Sequence, residues 1–203
     1  MPSRRLVLAS ASPARLRLLR DAGFDPEVLV SGVDEDAVQA EVGAGDVTVL
    51  VQALAEAKAA AVARRDDLAG ALVVGCDSLF ELDGAAWGKP GTTAAAAERI
   101  RAMRGRSGLL HTGHCVVDTA TGRSAGGVGT TVVRFADLDD AEVDAYVATG
   151  EPLAVAGSFT LDGRASVFVA GIEGDPSNVI GLSLPLFRRL LAELGVAVTD
   201  LWT

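Results

Sequence analysis

The sequence predicts an α/β fold, and three observations carry that reading. Short apolar runs such as Arg5 to Ala9 and Ala71 to Gly75 have strand length and are bounded by turn residues. Between them lie segments with apolar residues at helical spacing, opened by capping residues. Hydrophobic residues make up 49% of the chain and aromatics only 4%, so the core must be built from Ala, Val and Leu.

Taken in order, Arg5 to Ala9 is the first strand. Ser12 as N-cap with Pro13 at the first helical position starts a helix that Gly23 ends, with Leu16, Leu18, Leu19 and Ala22 at helical spacing. A strand feeding a helix N-terminus through a tight polar turn makes an anion site, and Arg15 in the first turn adds a full charge. A plain cap with a surface Arg is the simpler alternative. Pro26 to Val30 is a second strand. The acids Asp34, Glu35 and Asp36 after it form either a solvated loop or a cluster facing a metal or a Lys.

Asp46 caps a long helix running to about Arg65, with Leu50, Leu54, Ala57 and Ala61 as its apolar stripe. Lys58 stands at the edge of that stripe and snorkels along packed surface. Ala71 to Gly75 and Leu79 to Leu82 are strand-like runs separated by Asp77, which the first run places at a strand's C-terminal end, where α/β sheets bind ligands. An Asp there also suits a plain cap or turn. Asp83-Gly84 is a hairpin signal able to carry Lys89, in Gly88-Lys89-Pro90, back towards Asp77. Thr92 or Thr93 caps a helix with Ile100 and Met103 inward, ending near Gly105. Leu109 to Val117 and Val128 to Phe135 are strands joined through Thr121-Gly122-Arg123. Asp137, Asp139 and Asp140 precede a helix ending at Gly150, and a helix over roughly Leu184 to Leu194 closes the chain.

Length and charge narrow the function. A chain of 203 residues can bury a sizeable core, as one large domain or two small lobes; 1–203 is taken as a single domain. A net charge of −9 argues against nucleic acid or an anionic membrane as partner. No segment is long and apolar enough to span a bilayer, and Pro13 and Arg15 end the Met1 to Ala14 stretch too early for a signal peptide. The expected compartment is the cytoplasm. Cys76 and Cys115 form no CxxC, and Cys76 reads as a small buried hydrophobe. His111 and His114 have no third ligand candidate nearby. No GxGxxG follows the first strand, which excludes a dinucleotide fingerprint, and no GxSxG is present for a serine hydrolase.

Lysine usage singles out two positions. Of 18 basic residues, only Lys58 and Lys89 are lysine. Arg presents a broad planar fork whereas Lys is a compact point charge, so a narrow site touching a phosphate oxygen accepts Lys and rejects Arg. Chance retention is the alternative.

Ser10-x-Ser12-Pro13-x-Arg15, Val33-Asp34-Glu35, Ala57-Lys58-Ala59, Gly75-x-Asp77-Ser78 and Gly88-Lys89-Pro90 occur in one order. Glu151-Pro152-Leu153, Ala156-Gly157 and Asn178-Val179-Ile180-Gly181-Leu182 continue it. Together these resemble the Maf family of nucleoside triphosphate pyrophosphatases, also known as septum-formation proteins, from about residue 5 to 195. The resemblance implies an elongated mixed sheet with flanking helices, two lobes around a deep cleft, related in architecture to inosine triphosphate pyrophosphatases. It implies hydrolysis between the α and β phosphates of a nucleotide to a monophosphate and pyrophosphate, with a divalent metal, Mg²⁺ or Mn²⁺. By matching positions, Asp77 is the key catalytic carboxylate and Glu35 helps bind metal or order water. Ser10, Arg15, Lys58 and Lys89 hold phosphates, and Asp162 and Asn178 complete the substrate contacts. Either Asp77 or Glu35 serves as metal ligand or proton acceptor. A homodimer is a family expectation that no stretch here establishes.

The chain departs from the family pattern at named positions. Ala14 stands where members often carry the first of two arginines. This is the one feature favouring a nucleotide-binding regulator of cell division over an enzyme. Asp162 in Thr-Leu-Asp-Gly stands where the branch that resembles dTTP/UTP pyrophosphatases usually has Gln. An acid there and the Ser158-Phe159 pair resemble the branch acting on 7-methyl-GTP, which usually has Gln where this chain has Ser78. The nucleobase stays open.

Overall fold

The computed structural model describes residues 4–43 and 45–203. The first three residues of the stretch judged too short for a signal peptide lie outside the described residues. The strands are β1 (Leu6–Leu8), β2 (Glu27–Val28), β3 (Leu72–Leu82), β4 (Ala85–Trp87), β5 (Ser107–Asp118), β6 (Arg123–Phe135) and β7 (Val169–Glu173). The helices are α1 (Pro13–Asp21), α2 (Glu35–Val42), α3 (Val47–Ala63), α4 (Thr93–Met103), α5 (Asp140–Ala148), α6 (Pro176–Ile180) and α7 (Leu184–Glu193). The strands hydrogen-bond in the order β2-β1-β3-β5-β6-β7, with β4 on β3, giving a mixed seven-stranded sheet. The α/β expectation holds.

Chain contacts divide the molecule into two compact units. The first holds residues up to Asp77, Thr112–Gly129 and Gly181–Thr203. Here β1 runs parallel to β2 and to β3, pairing Leu6 with Leu72 and Leu8 with Val74. Parallel strands buried on both faces read as continuous apolar runs, which is why Leu6, Val7, Leu8, Leu72, Val73 and Val74 are all buried. Leu19, Phe24, Phe187, Leu190 and Leu191 pack on one face of these strands, and Val62 and Leu68 on another cluster with Val7 and Val73.

The second unit holds Ser78–His111 and Thr130–Ile180. Its core is the cluster of Phe80, Ile100, Met103, Phe135, Tyr146 and Phe159. Phe80 meets both Phe135 and Phe159 edge-on at centroid distances of 5.8 and 5.5 Å, the geometry that aromatic quadrupoles favour. The Asp83-Gly84 hairpin forms as expected. Both residues take positive φ, 53° and 78°, and Phe80 pairs with Trp87 across it.

Capping signals placed the starts of α1, α3 and α4. Ser12, Asp46, Thr92 and Asp139 each accept a first-turn amide as N-cap, and Asp139 with Glu142 forms a capping box. Three readings need correction. Asp77 does not end a strand: β3 is continuous for 11 residues, and Asp77 lies within it. The acids after Val33 are not a loop, because Asp34 caps α2. The apolar stripe of α3 is rotated from the expected one. Val51, Leu54, Ala55, Lys58 and Ala59 are buried, while Ala57 and Ala61 are only half-buried. Among the described residues no helix is long and apolar enough to cross a membrane.

Candidate active site

Two glycines let α3 lie unusually close to the sheet of the first unit. A Cβ at Gly75 would stand 2.4 Å from the Ala55 carbonyl oxygen and 2.7 Å from the Ala59 nitrogen. One at Gly113 would stand 2.1 Å from the Val51 carbonyl oxygen. Val51, Ala55 and Ala59 are spaced by four residues and form one ridge of the helix, so the ridge sits where side chains would otherwise be. Lys58 is next to Ala59, and Asp77 is two residues beyond Gly75 on the same side of the strand. Backbone contact between helix and strand therefore sets the distance between the two side chains.

That distance is short. Lys58 Nζ lies 2.5 Å from Asp77 Oδ1 and 2.7 Å from Glu35 Oε1. The Lys58 and Asp77 side chains are 10% and 12% exposed, the Glu35 side chain 59%. Glu35 is the first residue of α2, oriented by the cap in which Asp34 accepts the Ala37 amide at 3.0 Å. One ammonium thus bridges a carboxylate from a strand and another from a helix start. Of the alternatives for the acidic run, the Lys partner is the one observed.

Ser10 and Arg15 form a second group in the same unit, both buried. Ser10 Oγ accepts from the Ser12 amide at 3.2 Å and from Arg15 Nη1 at 3.0 Å. Arg15 Nε donates to the Gly181 carbonyl at 2.7 Å. Two hydrogen bonds fix the plane of the guanidinium at the start of α1, where backbone N–H groups also favour an anion. Ala14, in the same first turn, is half-buried and supplies no charge.

The remaining residues singled out by the sequence belong to the second unit. Lys89 is exposed, two residues past β4. The loop before it is anchored by Gly88, whose carbonyl accepts from Arg99 Nη1 at 2.7 Å. Asp162 is exposed on the turn between Thr160 and Gly163. Asn178 is fully buried, and its Nδ2 donates to the Leu110 carbonyl and to Thr131 Oγ1, both at 3.2 Å. Its amide therefore ties α6 to β5 and β6.

Sequence reasoning missed Glu151 as more than part of a motif. Its carboxylate accepts from Thr160 Oγ1 at 2.6 Å, Tyr146 Oη at 3.1 Å and the amides of Arg164 and Ala165 at 3.1 and 3.3 Å. Burial pushes its pKa up, but these four donors outweigh burial and hold it below the ordinary value. Glu151 thereby fixes the turn that carries Asp162. An acid followed by Pro152 was the only local signal, and its donors lie 5 to 14 residues away.

Asp77 and Glu35 suit a hard divalent cation in kind. Their oxygens converge on one point, marked by the Lys58 ammonium, and carboxylate oxygen is the donor that Mg²⁺ and Mn²⁺ prefer. Two carboxylates leave most of an octahedral shell to phosphate oxygens and water. Among the described residues no group of three or more His, Cys, Asp or Glu could hold a metal by itself.

The family model described as Maf-like protein matches residues 5–194. The chain is 62% identical over 201 residues to the nucleoside triphosphate pyrophosphatase of Streptomyces coelicolor, covering 99% of this chain and 96% of that one. The corresponding protein of Streptomyces avermitilis is 60% identical over 202 residues, with 100% and 96% covered. That of Salinispora tropica is 54% identical, with 98% and 88% covered.

Proposed function

The chain belongs to the Maf-like protein family, and we propose that it hydrolyses nucleoside triphosphates to a monophosphate and pyrophosphate through a site centred on Asp77, Lys58 and Glu35. The observation that carries the site is the bridge made by Lys58 between Asp77 and Glu35. A nearly buried ammonium with two acids costs desolvation and is weak support for stability, so its use lies in chemistry.

In this reading water adds to one phosphorus of the α–β anhydride, the bond from that phosphorus to the bridging oxygen breaks, and the monophosphate and pyrophosphate separate. The proton released by the water passes to the Asp77 carboxylate. Phosphoryl transfer is mostly positioning and charge neutralisation. Arg15 and Lys58 supply fixed positive charge in the first unit, and Ser10 holds Arg15 in orientation. Lys89 is the further phosphate-binding cation and Asp162 a contact to the nucleoside. Asn178 serves by holding the strands of its own unit, since its side chain is fully buried. Held by Asp77 and Glu35, a Mg²⁺ or Mn²⁺ ion would neutralise phosphate charge further. The proposed compartment is the cytoplasm.

The test is pyrophosphate release from dTTP, UTP, CTP, GTP and 7-methyl-GTP with Mg²⁺ or Mn²⁺, comparing wild type with Asp77→Asn. Release by wild type alone is expected, and the best substrate fixes the base preference. Equal release by Asp77→Asn would remove Asp77 from the chemistry, and no release by wild type from any substrate would overturn the activity.

A further inference from the structure

We propose that His114 is a positioning residue for Arg15, acting through the turn that opens α7; this rests on Arg15 being a phosphate-binding residue. His114 is on β5 in the first unit and is fully buried. The Ser183 backbone N–H donates to its Nε2 at 2.7 Å. A backbone N–H can only donate, so Nε2 is the nitrogen carrying the lone pair. The ring proton is then on Nδ1, 2.9 Å from the Thr112 carbonyl oxygen, which can only accept. The two partners define a neutral imidazole in one tautomer.

Ser183 is the N-cap of α7, its Oγ accepting from the Leu186 amide at 3.2 Å. Its own N–H lies outside the helix ladder, between the buried Leu182 and Leu186. A donor buried among aliphatic side chains needs an acceptor, and His114 is it. Two residues earlier, Gly181 takes φ 124°, a conformation open to glycine alone, and turns its carbonyl onto Arg15 Nε. A Cβ at Gly181 would stand 3.0 Å from that nitrogen. The series runs from imidazole to Ser183 amide, through the Gly181–Ser183 turn to the Gly181 carbonyl, and on to the Arg15 guanidinium and Ser10 hydroxyl. Without the acceptor at His114, the turn must shift to solvate the Ser183 N–H, and the Gly181 carbonyl that orients Arg15 shifts with it.

The experiment compares steady-state pyrophosphate release by wild type, His114→Leu, His114→Gln and His114→Asn, each also in an Arg15→Ala background. Gln can place its amide oxygen near the position of Nε2, whereas the shorter Asn cannot. The expected result is a KM raised about tenfold in His114→Leu and His114→Asn with kcat within about twofold of wild type. His114→Gln recovers most of the loss, and none of the three adds a further loss when Arg15 is already Ala. Equal losses in Gln and Asn, or an undiminished effect in the Arg15→Ala background, would overturn the proposal. If His114→Leu does not fold, the Gln and Asn pair gives the same decision. If Arg15→Ala leaves KM unchanged, the phosphate-binding reading of Arg15 fails instead, whatever the His114 variants do.

Discussion

Lys58 Nζ and Asp77 Oδ1 lie 2.5 Å apart although their parent residues sit on a helix and a strand 19 positions apart in sequence. Neither side chain is more than about an eighth exposed, so the pair interacts in a medium far less polar than water. Removing one partner of such a pair leaves a charge without compensation, whereas removing both does not.

Lys58→Met is therefore expected to destabilise the fold by about 3 kcal/mol and to lower pyrophosphate release by at least about 100-fold. Adding Asp77→Asn to it returns most of the stability and none of the activity. Urea unfolding of the two variants beside wild type checks the first statement and turnover checks the second. A Lys58→Met protein as stable as wild type would show the pair to be solvated.

The close approach at Gly75 gives a second prediction. Gly75→Ala sets a methyl group against the backbone of Ala55 and Ala59, atoms that cannot rotate away, so α3 must move off the strand. The expected cost is about 1–3 kcal/mol, with lost activity because Lys58 moves with the helix. Gly171→Ala is the control: nothing lies within 4 Å of its added Cβ, and it should change stability by less than about 0.5 kcal/mol. Equal effects of the two substitutions would refute the close-packing account.

The parts of this molecule that the sequence made legible are those decided within a few residues. The Ser12-Pro13 start of α1, the Asp46 cap, the threonine cap expected at Thr92 or Thr93 and the Asp83-Gly84 hairpin each depend on residues acting within their own neighbourhood. Helix α2 escaped because none of its residues is buried, so it has no apolar stripe to read. Strand β3 was cut in two because Asp77 interrupts an apolar run, although a strand backbone has no quarrel with one inward carboxylate that finds a cation. The stripe on α3 was misplaced because alanine is common on several of its faces, and alanine records burial poorly. Only the glycines at 75 and 113 reveal which face touches the sheet. The order of motifs brought Asp77, Lys58 and Glu35 together as a set. Their geometry, like the link from His114 to Ser183, spans separations that no local pattern reports.

The two thiols give a third prediction. Burial pushes Cys76 up to about 12 and Cys115 up to about 11. The nucleophile in alkylation is the thiolate, so at pH 8 roughly one Cys115 in a thousand, and fewer of Cys76, is reactive. Iodoacetamide should leave both unmodified in the native protein and label both once urea unfolds it. Mass spectrometry on the two samples decides, and native labelling at the rate of an exposed cysteine would contradict the burial of the labelled site.

The carboxylate of Glu151 gives the fold a defined acid sensitivity. Its folded pKa lies below the ordinary 4.5 because the donors from Thr160, Arg164, Ala165 and Tyr146 together outweigh burial. The unfolded chain then binds the proton more readily than the folded one, so stability rises with pH through this window. The contribution is fully present above about pH 5 and is lost as pH falls from 4.5 through the lower folded value. The neighbouring phenol responds in the opposite sense: burial and the Glu151 charge push Tyr146 up, so it stays protonated and donating throughout. Glu151→Gln removes the charge, replaces one acceptor oxygen with a donor NH₂ group, and faces that group towards other donors. At pH 7 the variant should be less stable by about 1–2 kcal/mol. The gap between wild type and variant should narrow as the pH falls below 4.5, since the protonated wild type resembles the amide. Urea unfolding from pH 3 to 8 measures this directly. A gap independent of pH would mean that the ionised carboxylate is not what the loop from Thr160 to Ala165 is built around.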